Sequence, residues 1–183
     1  MELNNYLLIS LPNNPHLLFD RAVIYVTQHD RFGAEGLIIN HPTHSRVGDI
    51  LTHMHLFQTP LLDNPTVLDG GPFETESGFV LHTPVDHWQT TIQTGPRIAL
   101  TSSQDILMAI ACNEPPPLYL LTLGHCRWFG DQLEKEIRAN QWLVAPATRE
   151  LLFHTPYSER YKKALRLAGV KTSISLTEFV GHA

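Results

Sequence analysis

Eleven histidines among 183 residues are the side chains that first suggest metal chemistry. Four of them, His41, His44, His53 and His55, lie close together in the sequence. His53 and His55 fall on a segment with helical periodicity, and residues two apart on a helix point about 200° from one another. The chain contains no HExxH motif and no Cys/His zinc spacing. We therefore predict no metal site and no other cofactor.

Cys126 and two serines are the candidate nucleophiles. His125 and Arg127 would lower the pKa of the Cys126 thiol if their side chains approached the sulfur. In an extended strand, however, Cys126 points away from both neighbours, which favours a buried and inert thiol. No GxSxG motif surrounds Ser102 or Ser103, and a helix-capping role accounts for both. The sequence thus predicts no catalytic residue.

The Gly70-Gly71-Pro72 motif is the most informative short segment. Glycine tolerates positive φ, while Pro72 biases Gly71 toward extended geometry, so the chain leaves a strand sharply here. Exposed N–H groups in such a turn can cradle an anion. A tight turn that lets two backbone segments approach closely is the structural alternative.

These residues are positioned by short strands in the first half of the chain and by alternating strands and helices in the second. Apolar, β-branched runs bounded by Pro, Gly or Asn predict strands. Helical periodicity, capping serines at 102, 103 and 158, and Gly169 at a C′ position predict helices. The predicted strands span 6–10, 22–28, 36–40, 66–69, 78–82, 90–94, 97–101 and 118–123, and the predicted helices span 47–54, 104–111, 131–140 and 159–168.

Composition and charge narrow the class of protein. The chain has 43% hydrophobic and 17% charged residues, and we expect one globular domain over residues 1–183. Thirteen basic against eighteen acidic residues give a net charge of -5, which opposes nucleic-acid binding unless one face concentrates the basic residues. Two cysteines without a framework, no secretion signal and no apolar run of membrane-spanning length predict a cytoplasmic protein.

Ordered segments along nearly the whole chain resemble the AlgH/YqgE family. The segments that carry this resemblance are 8–12, 19–26, 33–40, 69–72, 78–82, 101–105, Trp128 with 130–137, and the terminal 181–183. The resemblance implies an α+β fold in which a bent, partly split β-sheet forms a barrel-like core with helices packed around it. It also implies an association with the regulation of alginate synthesis, and it brings no catalytic or DNA-contacting residue.

Polar and amphipathic residues inside these segments are the candidate ligand-binding residues. Arg21, Asn40 and His82 flank or end predicted strands, where a grouped polar site would form. An ion pair for Arg21 and a hydrogen-bonded strand end for His82 are the structural alternatives. The full predicted set is Arg21, Asn40, Gly70, Gly71, His82, Trp128 and Gln132.

The function predicted from these observations is that of a cytosolic regulatory or binding protein without catalysis. It would act indirectly on gene expression or exopolysaccharide synthesis, through a protein or small-molecule partner, and it would bind no specific nucleic acid. The alternative is an enzyme, thiol-dependent or hydrolytic, with a pocket near Gly70-Gly71. A nucleophile within hydrogen-bonding distance of a base distinguishes the two.

Overall fold

The structure, a computed structural model, describes residues 2–56, 60–83 and 88–170. The fold contains both strands and helices, and most of its strand pairs are antiparallel. This confirms the predicted α+β class. The chain divides into a first unit, which runs up to Asn40 and resumes at Arg127, and a second unit, His41–Cys126. A single domain over residues 1–183 stays a prediction. No helix in the described ranges is long and apolar enough to cross a membrane.

Ten strands and four α-helices are present in the described part of the chain. In chain order they are β1 (Tyr6–Ser10), β2 (Val23–Asp30), β3 (Gly33–Ile38), β4 (Pro42–Arg46), α1 (Val47–His53), β5 (Thr66–Asp69), β6 (Phe73–Thr83), β7 (Ile92–Gly95), β8 (Ile98–Thr101), α2 (Gln104–Ala111), β9 (Leu118–Phe129), α3 (Gln132–Arg138), β10 (Trp142–Pro146) and α4 (Tyr157–Leu167).

The first unit is built on the antiparallel strand order β10-β1-β2-β3. Leu8 on β1 lies opposite Val144 of β10 on one side and Ile24 of β2 on the other. Residues of β1 that point to opposite faces are equally buried, since Leu7, Leu8 and Ile9 are all fully buried. Both faces of this strand are therefore covered, and α4 packs against β1, β2 and β10.

Two side chains of α4 attach this helix to the sheet of the first unit. The guanidinium of Arg160 is buried and donates to the carbonyl oxygens of Thr155 and Ile39. Burial lowers the pKa of Arg160 to about 10. The Tyr161 hydroxyl donates to the Ser10 carbonyl at 2.9 Å. These bonds connect the last helix to the ends of β1 and β3.

The second unit combines the antiparallel order β9-β6-β8-β7 with β4 and β5. Strand β5 pairs antiparallel with β4 and parallel with β9. Helices α1 and α2 bury their apolar faces against these strands, as their helical periodicity predicts. The buried cluster consists of Val47, Leu51, Val67, Val80, Ile106, Leu107, Ile110, Ala111 and Leu121.

Several elements differ from the sequence-based expectation. Strands β4 and β10 and a π-helical turn at Glu150–His154 were not predicted. The predicted cap at Ser158 is wrong, because α4 begins earlier, with Pro156 at its N-cap. Ser103 does hold the N-cap position of α2, but its hydroxyl donates to the Asp105 carboxylate at 2.5 Å and caps no backbone N–H of the helix.

Candidate binding cleft

A cleft of about 180 Å³ lies in the first unit, beside the hairpin that joins β2 to β3. The cleft is lined by Gln28, Asp30, Phe32, Gly33, Ala34, Glu35, Arg127 and Trp128. The Asp30 carboxylate shapes the turn, because its Oδ1 atom accepts the Phe32 N–H at 2.7 Å. Its Oδ2 atom accepts the side-chain amide of Gln28 at 3.1 Å. These bonds hold the pKa of Asp30 below its usual value, so the group stays ionised.

Gly33 lets the hairpin approach the end of β9. A Cβ atom at this position would lie 2.0 Å from the Trp128 carbonyl oxygen, and the residue has a φ of +142°. The Gly130 N–H donates to the Phe32 carbonyl at 2.8 Å across the same contact. Only glycine meets both requirements without strain, so this residue fixes the wall of the cleft.

Two exposed phenylalanines, Phe32 and Phe129, form what we term the aromatic rim of the cleft. Phe32 is 71% exposed and Phe129 is 58% exposed. The guanidinium of Arg31 lies 4.7 Å from the Phe32 ring centroid, and that of Arg127 lies 5.0 Å from the Phe129 centroid. Arg127 also faces the Glu35 carboxylate at 3.5 Å. The rim thus joins aromatic surface to charged groups of both signs.

Trp128 and Gln132, two of the predicted site residues, are brought together by Glu136. One Glu136 oxygen accepts the indole N–H groups of Trp128 and Trp142, each at 2.8 Å. The other accepts the Gln132 amide at 2.9 Å. The two indole rings meet edge to face with centroids 6.1 Å apart. This arrangement orients the tryptophan that backs the cleft.

Arg21 and Asn40 also meet, but through the Arg21 backbone. The Asn40 amide donates to the Arg21 carbonyl at 2.8 Å and accepts the Val23 N–H at 2.7 Å. Arg21 has a φ of 50°. The Asn40 side chain therefore stabilises the turn that enters β2. Its hydrogen-bonding groups are engaged with the backbone, which gives this pair a structural role.

Gly70 and Gly71, in the second unit, pack against the backbone of β9. The Gly70 N–H donates to the Leu123 carbonyl at 2.8 Å, and the Gly71 N–H donates to the Asp69 carboxylate at 3.2 Å. A Cβ atom at Gly71 would lie 2.4 Å from the carbonyl carbon of His125. This geometry matches the tight turn with close backbone approach, and both N–H groups bond to acceptors within the protein rather than to an external anion.

His82 contacts the Thr101 hydroxyl, and the two side chains resemble a catalytic base paired with its nucleophile. Its Nε2 atom lies 2.7 Å from Thr101 Oγ1, and Thr101 Oγ1 lies 2.8 Å from Thr91 Oγ1. The Trp88 ring packs edge-on over His82 with centroids 4.9 Å apart. Both His82 and Thr101 are fully buried, so this pair offers no access to a substrate.

Cys126 and His29, the other side chains with reactive groups considered, are also buried. Cys126 is buried, its thiol donates to the Gly70 carbonyl at 3.5 Å, and burial raises its thiol pKa. His29 is buried as well: its Nδ1 accepts the Leu3 N–H at 3.1 Å, so Nε2 carries the proton and donates to Glu134 at 3.0 Å. Within the described ranges, no three His, Cys, Asp or Glu side chains converge as metal ligands. The absence of a bound metal stays a prediction.

Sequence reasoning located Trp128 but missed the other residues of the cleft. At Asp30, Phe32 and Gly33 the sequence pattern predicts only a turn between strands. Arg127 enters the sequence-based prediction only as a neighbour of Cys126. An aromatic residue at the tip of a predicted hairpin was the signal available, since turn residues are mostly small or polar.

The sequence of this chain is similar to those of known proteins. The family model described as AlgH-like matches residues 7–173. A UPF0301 protein of Vibrio parahaemolyticus is 40% identical over 190 residues, with 100% of both chains covered. Another, of Nitrosococcus oceani, is 39% identical over 180 residues, 98% of this chain and 96% of its own.

Solved structures are also similar to this chain. The solution structure of AlgH from Pseudomonas aeruginosa superposes with a TM-score of 0.80 at 33% identity, covering 100% of this chain and 95% of that one. A crystal structure from Corynebacterium diphtheriae has a TM-score of 0.68 at 18% identity over 90% of this chain and 86% of its own, a likeness of fold alone.

Proposed function

From the premise that this chain belongs to the AlgH-like family, we propose that it is a non-catalytic binding protein that docks a partner protein at the cleft and its aromatic rim. The observation that carries this proposal is the exposure of Phe32 and Phe129, 71% and 58%, each beside an arginine guanidinium. Aromatic side chains, phenylalanine among them, are enriched in protein interfaces. Leaving two phenylalanine rings in water costs free energy that a partner would recover.

Rigidity of the supporting structure favours the same function. Gly33 packs against the backbone of Trp128, and Glu136 fixes the Trp128 ring through its indole N–H. A preorganised face loses less conformational entropy when a partner binds. The cleft and rim therefore suit recognition better than a loosely held loop would.

The geometry gives less support to an enzyme. The cleft lining presents carboxylates, a guanidinium and an amide but contains no Ser, Thr, Cys or His. The His82–Thr101 pair and the Cys126 thiol are buried. Neither arrangement offers the accessible nucleophile and base that hydrolysis or thiol chemistry requires.

We propose further that the protein has a regulatory role. A cytoplasmic binding protein without a nucleic-acid surface would influence gene expression or exopolysaccharide synthesis through the protein that it binds. The net charge of -5 supports such an indirect route.

Site-specific photocrosslinking in cells tests the docking face. A benzoylphenylalanine placed at position 32 should cross-link a defined partner, which mass spectrometry then identifies. The same group at Leu17, which is 93% exposed and outside the cleft lining, is the matched control. With the partner purified, Phe32→Ala combined with Phe129→Ala should weaken binding at least tenfold. Equal cross-linking from positions 17 and 32, or unchanged affinity of the double variant, would refute the proposal.

A further inference from the structure

We propose that the cleft accepts a cationic side chain, a guanidinium or an ammonium group, from a basic segment of the partner protein. This inference rests on the proposed function, because it names the chemistry of the partner at the same site. Its first support is the charge of the lining: Asp30 and Glu35 are acidic and Arg127 is basic. Arg127 already faces Glu35 at 3.5 Å. Asp30 therefore contributes the charge that is not balanced within the lining, since the Arg31 guanidinium lies outside the lining, over the Phe32 ring.

The Asp30 carboxylate is held ready for such a cation. Its hydrogen bonds from the Phe32 N–H and the Gln28 amide fix the orientation of both oxygens at the hairpin. The same bonds keep its pKa below the usual value, so it remains ionised in neutral and mildly acidic solution. A carboxylate that is already positioned binds a cation without the entropic cost of ordering its own side chain.

The size and aromatic character of the cleft match one side chain. A volume of about 180 Å³ is below the roughly 300–1,000 Å³ of sites for drug-sized ligands. Phe32 lines this space, and its ring already attracts a guanidinium, that of Arg31 at 4.7 Å, as aromatic faces do. The exposed rim would cover the stem of the inserted side chain.

Charge complementarity also extends beyond the cleft. The whole chain carries a net charge of -5, which attracts a basic segment and raises its rate of association. An acidic segment would face the charge of Asp30 as well as the charge of the chain. We therefore assign the cleft to a basic occupant.

An NMR titration of the full chain tests this assignment. The probe is a capped Gly-Ser-Arg-Ser-Gly pentapeptide, with the same peptide carrying Glu in place of Arg as its control. The arginine peptide should give saturable shifts of the Gly33 amide and the Trp128 indole signals. Greater shifts of these signals with the glutamate peptide would overturn the assignment.

Three variants distinguish an effect of charge on peptide binding from an effect on the fold. Asp30→Asn keeps an oxygen to accept the Phe32 N–H and should weaken arginine-peptide binding at least tenfold. Asp131→Asn, a 65% exposed carboxylate paired with Lys135 outside the cleft, should leave the affinity unchanged. Arg127→Gln should strengthen binding, because it removes the positive charge of the lining. An equal effect of the two aspartate variants, or loss of binding in Arg127→Gln, would contradict the inference.

These outcomes are distinguishable from a failure of the proposed function. Cross-linking at position 32 that persists while the arginine peptide shows no preference would reject the cationic occupant alone. Loss of both the cross-link and the peptide shifts would reject the docking face itself.

Discussion

Glu136 illustrates how a single side chain connects distant parts of the first unit. It lies on α3 and accepts hydrogen bonds from Trp128 on β9, Gln132 on α3 and Trp142 on β10. Hydrogen bonds to an ionised acceptor contribute roughly 1.5–3 kcal/mol each, more than neutral ones do. The carboxylate therefore holds two strands against one helix.

Glu136→Gln should lower the free energy of unfolding by about 1–3 kcal/mol. The replacement amide keeps one oxygen acceptor and places an NH2 group against the donors that now bond to the carboxylate. Urea unfolding measures the loss, and the indole N–H resonances of Trp128 and Trp142 should both shift. Glu159→Gln, on the exposed face of α4, serves as the control. A shift of only one indole signal would show that the oxygen is not shared.

Gly71→Val should destabilise the protein by roughly 1–3 kcal/mol or more. The new Cβ atom would meet the His125 backbone at 2.4 Å, and φ at this position is +143°. Gly78→Val is the matched control in the same unit, because its Cβ atom would meet only Leu121 Cδ1 at an ordinary 3.5 Å. Thermal melts compare both variants with the parent. Equal melting temperatures for the two variants would disprove the backbone requirement at Gly71.

Cys126→Ser should leave the free energy of unfolding nearly unchanged at pH 7. At alkaline pH, the free energy of unfolding should fall less in the variant than in the parent. Burial raises the thiol pKa in the folded state above its ordinary value of 9.0, so above that pH the unfolded chain releases a proton that the folded chain keeps. The free energy of unfolding then falls by up to about 1.4 kcal/mol per pH unit. Urea unfolding at pH 7 and pH 10 tests this, with exposed Cys112 changed to Ser as control. Parallel pH dependences for parent and variant would contradict it.

The β2–β3 hairpin determines the position and lining of the cleft. Its tip carries Asp30 and Phe32, and Gly33 lets it contact the last residues of β9. A shift of this hairpin would displace the carboxylate and the aromatic rim together. The stability of the hairpin and the binding of a partner should therefore respond to the same substitutions.

Gly33→Ala should cost about 2–4 kcal/mol, because a backbone atom of Trp128 occupies the position of the new methyl group. Gly130→Ala is the control, since its φ is also positive, +54°, but no atom lies within 4 Å of the added Cβ. Its cost should be only about 1–2 kcal/mol, the general penalty for a side chain in left-handed geometry. Unfolding by urea compares them. Similar losses for both variants would show that the close approach contributes little.

The elements that local sequence specifies were predicted most accurately. Strands β1 and β5 match their predicted bounds, because apolar, β-branched runs between breakers leave little choice of structure. Strand β4 was missed, since Pro-Thr-His-Ser-Arg has no apolar run and only its pairing with β5 makes it a strand. Long-range pairing of this kind is invisible to periodicity.

The candidate site was predicted less well than the fold, for a related reason. The cleft joins residues 28–35 to residues 127–128, which no local spacing connects. Of the predicted residues, Trp128 lines the cleft, and Gln132 is linked to it through Glu136. Gly70 and Gly71 were identified by their type, but their hydrogen bonds inside the fold show why a glycine pair alone does not specify an anion site.

The net charge of the chain favours some classes of partner over others. Eighteen acidic residues outnumber thirteen basic ones, so the electrostatic field of the chain opposes a phosphate backbone. The same balance favours a basic protein segment. Association with such a partner should weaken as salt is added, because screening reduces long-range attraction.

The purified protein should not bind DNA with sequence specificity. An electrophoretic mobility assay at physiological salt, with a promoter fragment and excess competitor DNA, measures this. Retention of the fragment should be absent or should disappear with competitor. Tight retention that survives competition would show that a local basic surface overcomes the net charge.

The division of the chain also determines when the protein can fold during its synthesis. The first unit is assembled from the two ends of the chain, because β1 pairs with β2 nearby in sequence but also with β10, where Tyr6 lies opposite Pro146. A ribosome adds roughly 5–20 residues each second, so one edge of β1 stays open for several seconds before its second neighbour exists. An open strand edge readily pairs with other chains. The nascent amino-terminal strands are thus vulnerable to mispairing until the carboxy-terminal quarter of the chain emerges.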